Sequence, residues 1–119
     1  MIARVWRGWA SAADAQTYAS HAIERVFPSM EAIQGYRGAL LLRKDEASRV
    51  EFVVVTMWES LTAVRGFAGD QIDHAVIEPA ALEVLAEFDT TVRHYDLVHR
   101  TMSREPSRAE APSSSRSRD

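Results

Sequence analysis

The sequence predicts an α+β domain of order β-α-β-β-α-β, a ferredoxin-like split βαβ with one antiparallel four-stranded sheet. Three observations carry that expectation. Ile2 to Trp9 and Thr91 to His99 alternate with period two, at opposite ends of the body. A polar turn, Lys44 to Arg49, joins two apolar segments and leaves no room for a crossover, so those segments pair as a hairpin. Between the strands the spacing turns helical twice, over Ala12 to Phe27 and from Leu61 to Phe67.

The first strand sets Ile2, Arg4, Trp6 and Gly8 on one side and Ala3, Val5, Arg7 and Trp9 on the other. Arginine and tryptophan share a side there, which marks a pocket or a packed partner. Ser11 is placed to cap the next segment. Ala15, Tyr18, Ala19, Ala22, Ile23 and Val26 form its apolar stripe, opposite Gln16, Ser20 and Glu24. Small alanines let this helix lie close to a sheet, and Pro28 is expected to stop it. Gly35 to Lys44 reads as the second strand, with glycines that leave room beside the backbone. Its Leu40, Leu41 and Leu42 are too apolar for a strand with one wet face.

Phe52 to Trp58 is the third strand, β-branched and apolar. It turns at Trp58-Glu59-Ser60 into a short helix whose Leu61, Val64 and Phe67 share a face. Ser60 is its N-cap, and Gly66 or Gly69 ends it. Asp70 to Ile77 is a loop carrying His74. Glu78 to Leu85 reads as a further helical turn with Pro79 at its first position. Phe88-Asp89-Thr90 leads into the last strand.

A chain of 119 residues, 46% apolar, suits one domain, expected over residues 1–100. The run SREPSRAEAPSSSRSRD beyond it has no large apolar residue. It cannot offset its own ordering entropy, so residues 101–119 are expected to be a disordered, solubilising tail. No apolar run approaches the ~20 residues of a membrane span. A net charge of −3, with a mildly acidic body, lacks the electrostatic footprint of a nucleic-acid or anionic-membrane binder. The absence of cysteine removes disulfides and thiol nucleophiles and makes the cytoplasm the default compartment.

In the third strand Val53, Val55 and Met57 alternate with Phe52, Val54 and Trp58, so the sheet is apolar on both faces. Helices cover one. The other is expected to be buried on a second copy, giving a homodimer whose two sheets close into a barrel.

FVVVTMWESLTAVRGFAG, followed by EPAALEVLAEFD and VRHYDLV, resembles the antibiotic biosynthesis monooxygenase family of dimeric α/β barrels. The resemblance covers residues 1–99 and is sharpest at Trp58-Glu59-Ser60, Phe67-Ala68-Gly69 and His94-Tyr95. It implies a cavity between sheet and helices, lined in quinone-forming members by the tryptophan that Trp58 matches. It implies a small-molecule substrate: a polyketide phenol or anthrone oxidised to a quinone without cofactor, haem, or a small signalling or catabolic molecule. The haem-degrading branch has an asparagine on the first strand, a tryptophan late in the second helix and a histidine about ten residues beyond. Here the first strand has no asparagine, Phe67 takes the tryptophan position and His74 comes too soon. Haem held axially by His74 stays open as an alternative.

Cofactor-free oxygenation needs a base, a holder for the resulting enolate or phenolate, and exclusion of water. Histidine suits the first role, and arginine or an indole N–H the second. The catalytic candidates are His94, His74 and Trp58; the substrate-binding candidates are His21, Tyr18, Phe67, Arg4 and Trp6. The spacing of His21, His74, His94 and His99 matches no metal site, so no metal is expected. A barrel that binds a small ligand without turnover, and a non-oxidative isomerase or cyclase, are the competing readings of the same residues.

Overall fold

The computed structural model describes residues 1–104, so most of the expected tail lies outside the described residues. The element order is β1 (Ile2–Ser11), α1 (Ala15–His21), a π-helical turn (Ala22–Val26), α2 (Phe27–Met30), β2 (Tyr36–Asp45), β3 (Arg49–Trp58), α3 (Leu61–Ala68), α4 (Pro79–Leu82), β4 (Glu87–Phe88) and β5 (Arg93–Asp96). The sheet runs β2-β3-β1-β4, with β5 also on β1. All pairings are antiparallel. This is the expected ferredoxin-like order, with the last strand in two pieces.

Four local expectations are corrected. Ser11 ends β1 rather than capping the first helix: α1 starts at Ala15 behind Asp14, whose N–H the Ser11 hydroxyl accepts at 3.1 Å. Pro28 does not stop the first helical segment. The chain widens into the π-turn, where the Phe27 N–H bonds the Ala22 carbonyl five residues back. The next turn starts afresh with Pro28 at its beginning, where a missing N–H is tolerated. The wide turn also carries Ile23 out of the apolar stripe, leaving it 56% exposed.

The last strand, expected over Thr91 to His99, is only Arg93–Asp96, with a separate piece at Glu87–Phe88, because the backbone between them finds other partners. The Asp89 carbonyl accepts the Trp6 indole N–H at 2.8 Å. Thr90 to Val92 pairs with the 70–77 loop, through Ala75 N–H to the Thr90 carbonyl and Val92 N–H to the Asp73 carbonyl. Finally, the helix expected over Glu78 to Leu85 is only the turn Pro79–Leu82.

Other elements follow their sequence signals. The Ser60 hydroxyl accepts the Ala63 N–H, and Gly69, at φ 83°, closes α3 in a conformation that side chains disfavour. Gly35 is needed for closeness: a Cβ there would lie 2.4 Å from Ala63 Cβ, so α3 could not dock on the start of β2.

Paired rows across β1 and β3 organise the helix-covered face. Ile2 faces Trp58 at one end, and Gly8 and Ala10 face Phe52 and Val50 at the other. Each end belongs to its own core. One gathers Ile2, Met30, Trp58 and Val64. The other gathers Ala10, Tyr18, Ala22, Val50 and Phe52 under α1. Burying a large apolar side chain contributes about 1.5–3 kcal/mol, so these ends hold the helices to the sheet. Of the rows between them, Arg4 with Thr56 belongs to neither core, and in Trp6 with Val54 the indole packs half-buried against the second.

On the opposite face, Leu40 pairs with Val55 and Leu42 with Val53. Leu40 and Leu42 are 56% and 49% exposed. Helices thus cover one apolar face of the sheet and leave the other open.

Candidate functional site

Where the two cores fail to meet, the layers enclose a cavity. Its floor is Arg4, Trp6, Val54 and Thr56; its roof is Tyr18, His21, Ala22, Val26, Phe27 and Met30; Phe67, Val76, Ile77 and Glu78 wall it. Its volume is about 90 Å³. At roughly 30 Å³ per water in the liquid, the space holds several waters or a small organic group.

Arg4 dominates the electrostatics. It is 4% exposed, and it shares its row with Thr56, the other buried polar residue among those described. Its Nη1 donates to the Ile72 carbonyl at 2.6 Å and contacts His94 Nε2 at 2.9 Å; its Nη2 donates to the His74 carbonyl at 2.8 Å. The guanidinium also stands 5.6 Å from the Phe67 ring centre. Burial pulls its pKa below the ordinary value, and the charge of Asp73 pulls it back up. A guanidinium stays charged regardless at neutral pH. Its direct partners are two carbonyls and an imidazole, and the Asp73 carboxylate reaches it only from behind His94, 3.5 Å from that ring.

His21 supplies the second feature. Its Nε2 is buried and has no hydrogen-bond partner. Glu78 Oε1 lies 3.2 Å away, an ion-pair distance whose alignment makes no hydrogen bond. A buried, unpartnered ring nitrogen is uncommon and marks a place where a ligand or water completes the set. Tyr18, beside it on α1, is buried, and its hydroxyl is pushed up to about 12 by that burial. It therefore stays protonated and offers a donor.

The candidates divide accordingly. Arg4, Trp6, Tyr18, His21 and Phe67 come together around one cavity. Arg4 and Trp6 face the helices, which sets aside packing against a second copy as the reason they share a side. Trp58, His94 and His74 stand behind the wall. The Trp58 indole is fully buried, stacks on Phe67 at 5.2 Å and donates its N–H to Thr56 Oγ1 at 2.8 Å rather than into the cavity. His94 meets Arg4 from β5, with Nδ1 3.5 Å from Asp73 Oδ1. His74 is exposed and contributes its carbonyl. Sequence reasoning missed Glu78, Val54 and Thr56 as lining residues. Period two on β3 does place Val54 and Thr56 on the Phe52 side, but nothing local ties Glu78 to His21 across 57 positions.

No group of three or more His, Cys, Asp or Glu side chains among the described residues is arranged to hold a metal. No described helix is long and apolar enough to cross a membrane.

No protein-family model matches the chain, and no curated protein matches it by sequence. Solved structures do match in fold. A putative antibiotic biosynthesis monooxygenase from Deinococcus radiodurans aligns with a TM-score of 0.61 at 14% identity, over 88% of this chain and 100% of that one. A similar protein from Bacillus cereus gives 0.57 at 14% identity, over 86% and 97%. The haem-degrading protein MhuD of Mycobacterium tuberculosis, with two haems in its active site, gives 0.57 at 19% identity, over 86% and 100%. The chain therefore has the ferredoxin-like α+β fold of the antibiotic biosynthesis monooxygenase structures, the fold its own motifs resemble.

Proposed function

We propose that this protein is a small oxygenase of the antibiotic biosynthesis monooxygenase type, acting without metal or flavin on an aromatic small molecule bound over Arg4. One juxtaposition supports the reading: a buried cation whose direct partners are two carbonyls and an imidazole, in the same cavity as a buried imidazole nitrogen with no hydrogen-bond partner. His21 Nε2 takes a proton from an activated C–H or O–H, and Glu78 stabilises the resulting imidazolium. Arg4 favours the enolate or phenolate form, whose charge delocalises toward it. The electron-rich ring then reduces oxygen directly. Overall a CH₂ carbon takes one oxygen atom as a carbonyl, and the other leaves as water with the two hydrogens. Apolar walls exclude bulk water. Trp58 and Phe67 brace the wall, and His94 and the His74 carbonyl aim Arg4.

The test is oxygen uptake with hydroxynaphthalene and anthrone substrates, expected in the wild type and absent in His21→Leu. No uptake across the whole panel would sink the oxygenase reading. Product formed under nitrogen would favour an isomerase or cyclase, and binding without product a ligand carrier.

Haem is a second ligand to weigh, since one neighbour binds it. His21 Nε2, without a hydrogen bond, is the nitrogen that would serve as an axial ligand. The space does not fit: a cavity for several waters is too small for a tetrapyrrole. His74, the axial candidate from sequence, is exposed and lends the site its carbonyl. The reading is therefore of a small aromatic rather than a macrocycle.

The open sheet face supports a homodimer as part of the same proposal. Leu40, Leu42, Val53, Val55, Val5 and Met57 form one apolar patch, and a sheet face of that composition needs a partner. Light scattering on a sizing column is expected to give twice the chain mass.

A further inference from the structure

The cavity is electrostatically polar from end to end, and that polarity specifies its ligand beyond the reaction class. Arg4 is the buried end, 4% exposed, in register with His94 and Thr56 on the sheet. Glu78 is the rim: its side chain is 47% exposed, it precedes α4, and it stands 3.2 Å from His21 Nε2. Val76 beside it is also exposed, so the mouth opens on this side. Between the ends the walls are apolar and aromatic: Trp6, Phe27, Val54 and Phe67.

A permanent anion gains from Arg4 and loses beside Glu78. Buried in the slot, Arg4 acts more strongly than it would in water, while Glu78, half exposed at the rim, acts more weakly. Conversely, the His21–Glu78 end suits a neutral donor such as a hydroxyl, which the ring nitrogen accepts. Size adds the third constraint. The inner space of about 90 Å³ is smaller than the ~150 Å³ of a cavity that holds benzene, so it seats one ring in part, and a second ring lies in the half-open mouth.

Resting on the site reading above, we infer that the ligand is a one- or two-ring aromatic oxyacid that enters acid first, its anionic oxygen on Arg4 and a hydroxyl toward His21 and Glu78. The anionic oxygen belongs to a carboxylate or to an acidic enol; the two share the recognition chemistry.

The test is calorimetric binding to the full chain under nitrogen, so that affinity is read without turnover. The probes are a naphthoate with a hydroxyl at its far end, a hydroxynaphthoquinone as the acidic enol, the corresponding naphthol without acid, and a naphthalene dicarboxylate. Either acid is expected to bind at least roughly tenfold tighter than the naphthol, the difference of one charge-assisted hydrogen bond. Whichever of the two acids binds tighter identifies the source of the anion. The dicarboxylate is expected to bind poorly to the wild type, because its second charge meets Glu78. Glu78→Gln should improve its affinity several-fold relative to that of the hydroxynaphthoate. Glu78 makes no capping hydrogen bond, so that variant keeps the fold. Arg4→Met is expected to abolish the preference for acid over naphthol.

Equal affinity for naphthol and acids would overturn the charge assignment. A dicarboxylate indifferent to Glu78→Gln would overturn the orientation. These outcomes are separate from the oxygenase reading: acids that bind as expected without oxygen uptake leave the inference standing and remove the reaction. Uptake with neutral anthrones and no acid binding does the reverse.

Discussion

Arg4 Nη1 meets His94 Nε2 at 2.9 Å, and that contact assigns the imidazole tautomer. A guanidinium only donates, so Nε2 accepts and the proton sits on Nδ1, facing Asp73 Oδ1 at 3.5 Å. The lone pair of His94 is committed to holding Arg4. The same arginine fastens the carbonyls of Ile72 and His74, so strand β5, the 70–77 loop and the cavity floor meet at one cation.

This contact makes stability depend on pH. Burial, then the charge of Arg4, lower the His94 pKa from its ordinary value, against a smaller upward pull from Asp73. A histidine with a lowered folded pKa binds fewer protons folded than unfolded. Its contribution is therefore complete above the unfolded value of about 6.5 and is lost as pH falls below it toward the folded value. Urea unfolding between pH 8 and pH 5, about the ordinary imidazole range, is expected to show that loss. His94→Gln, which does not titrate, should flatten the profile.

His21 should separate stability from function. Replacing a buried, unsatisfied nitrogen by an apolar group removes a cost of about 1–3 kcal/mol. His21→Leu is expected to keep or raise the melting temperature while ligand binding and oxygen uptake fall. A clear drop in melting temperature would mean that the nitrogen has a structural partner.

Gly8 makes space for the Trp6 indole. A Cβ at Gly8 would lie 2.4 Å from Trp6 Cη2. The ring lines the cavity and is held by its bond to the Asp89 carbonyl, so relieving that clash disturbs the bond and the cavity wall. Gly8→Ala is expected to cost about 1–3 kcal/mol and weaken ligand binding. Combined with Trp6→Phe, which shortens the ring, it should cost less than the sum of the two, measured by urea unfolding as a double-mutant cycle.

The open sheet face gives an assembly test. Val55 sits between Val5 and Leu40, at the centre of the apolar patch. Val55→Lys is expected to convert a dimer to a folded monomer, read by light scattering with unchanged far-ultraviolet circular dichroism. A wild-type monomer at micromolar concentration would remove the dimer altogether.

Haem gives the last test. Titration with haem is expected to produce no Soret band typical of histidine ligation. Such a band, lost in His21→Leu, would show that the cavity expands around a macrocycle.

The order of elements, the hairpin, the Ser60 cap and the two-sided apolar sheet were legible in the chain, because each follows from neighbours a few positions apart. Period two on β1 already placed Arg4 and Trp6 together, and helical spacing placed Tyr18 near His21. Other features were decided by tertiary structure alone. The π-turn and the broken last strand arise where backbone groups trade local partners for distant ones: Trp6 takes the Asp89 carbonyl, and Asp73 and Ala75 take the strand residues that follow it. The ranking of the histidines was undecidable from sequence, since an imidazole's role depends on which atoms surround it. His94 is turned to Arg4 and His74 lends only a carbonyl, while His21 keeps a free nitrogen in a cavity that exists because two separate cores leave a gap between them.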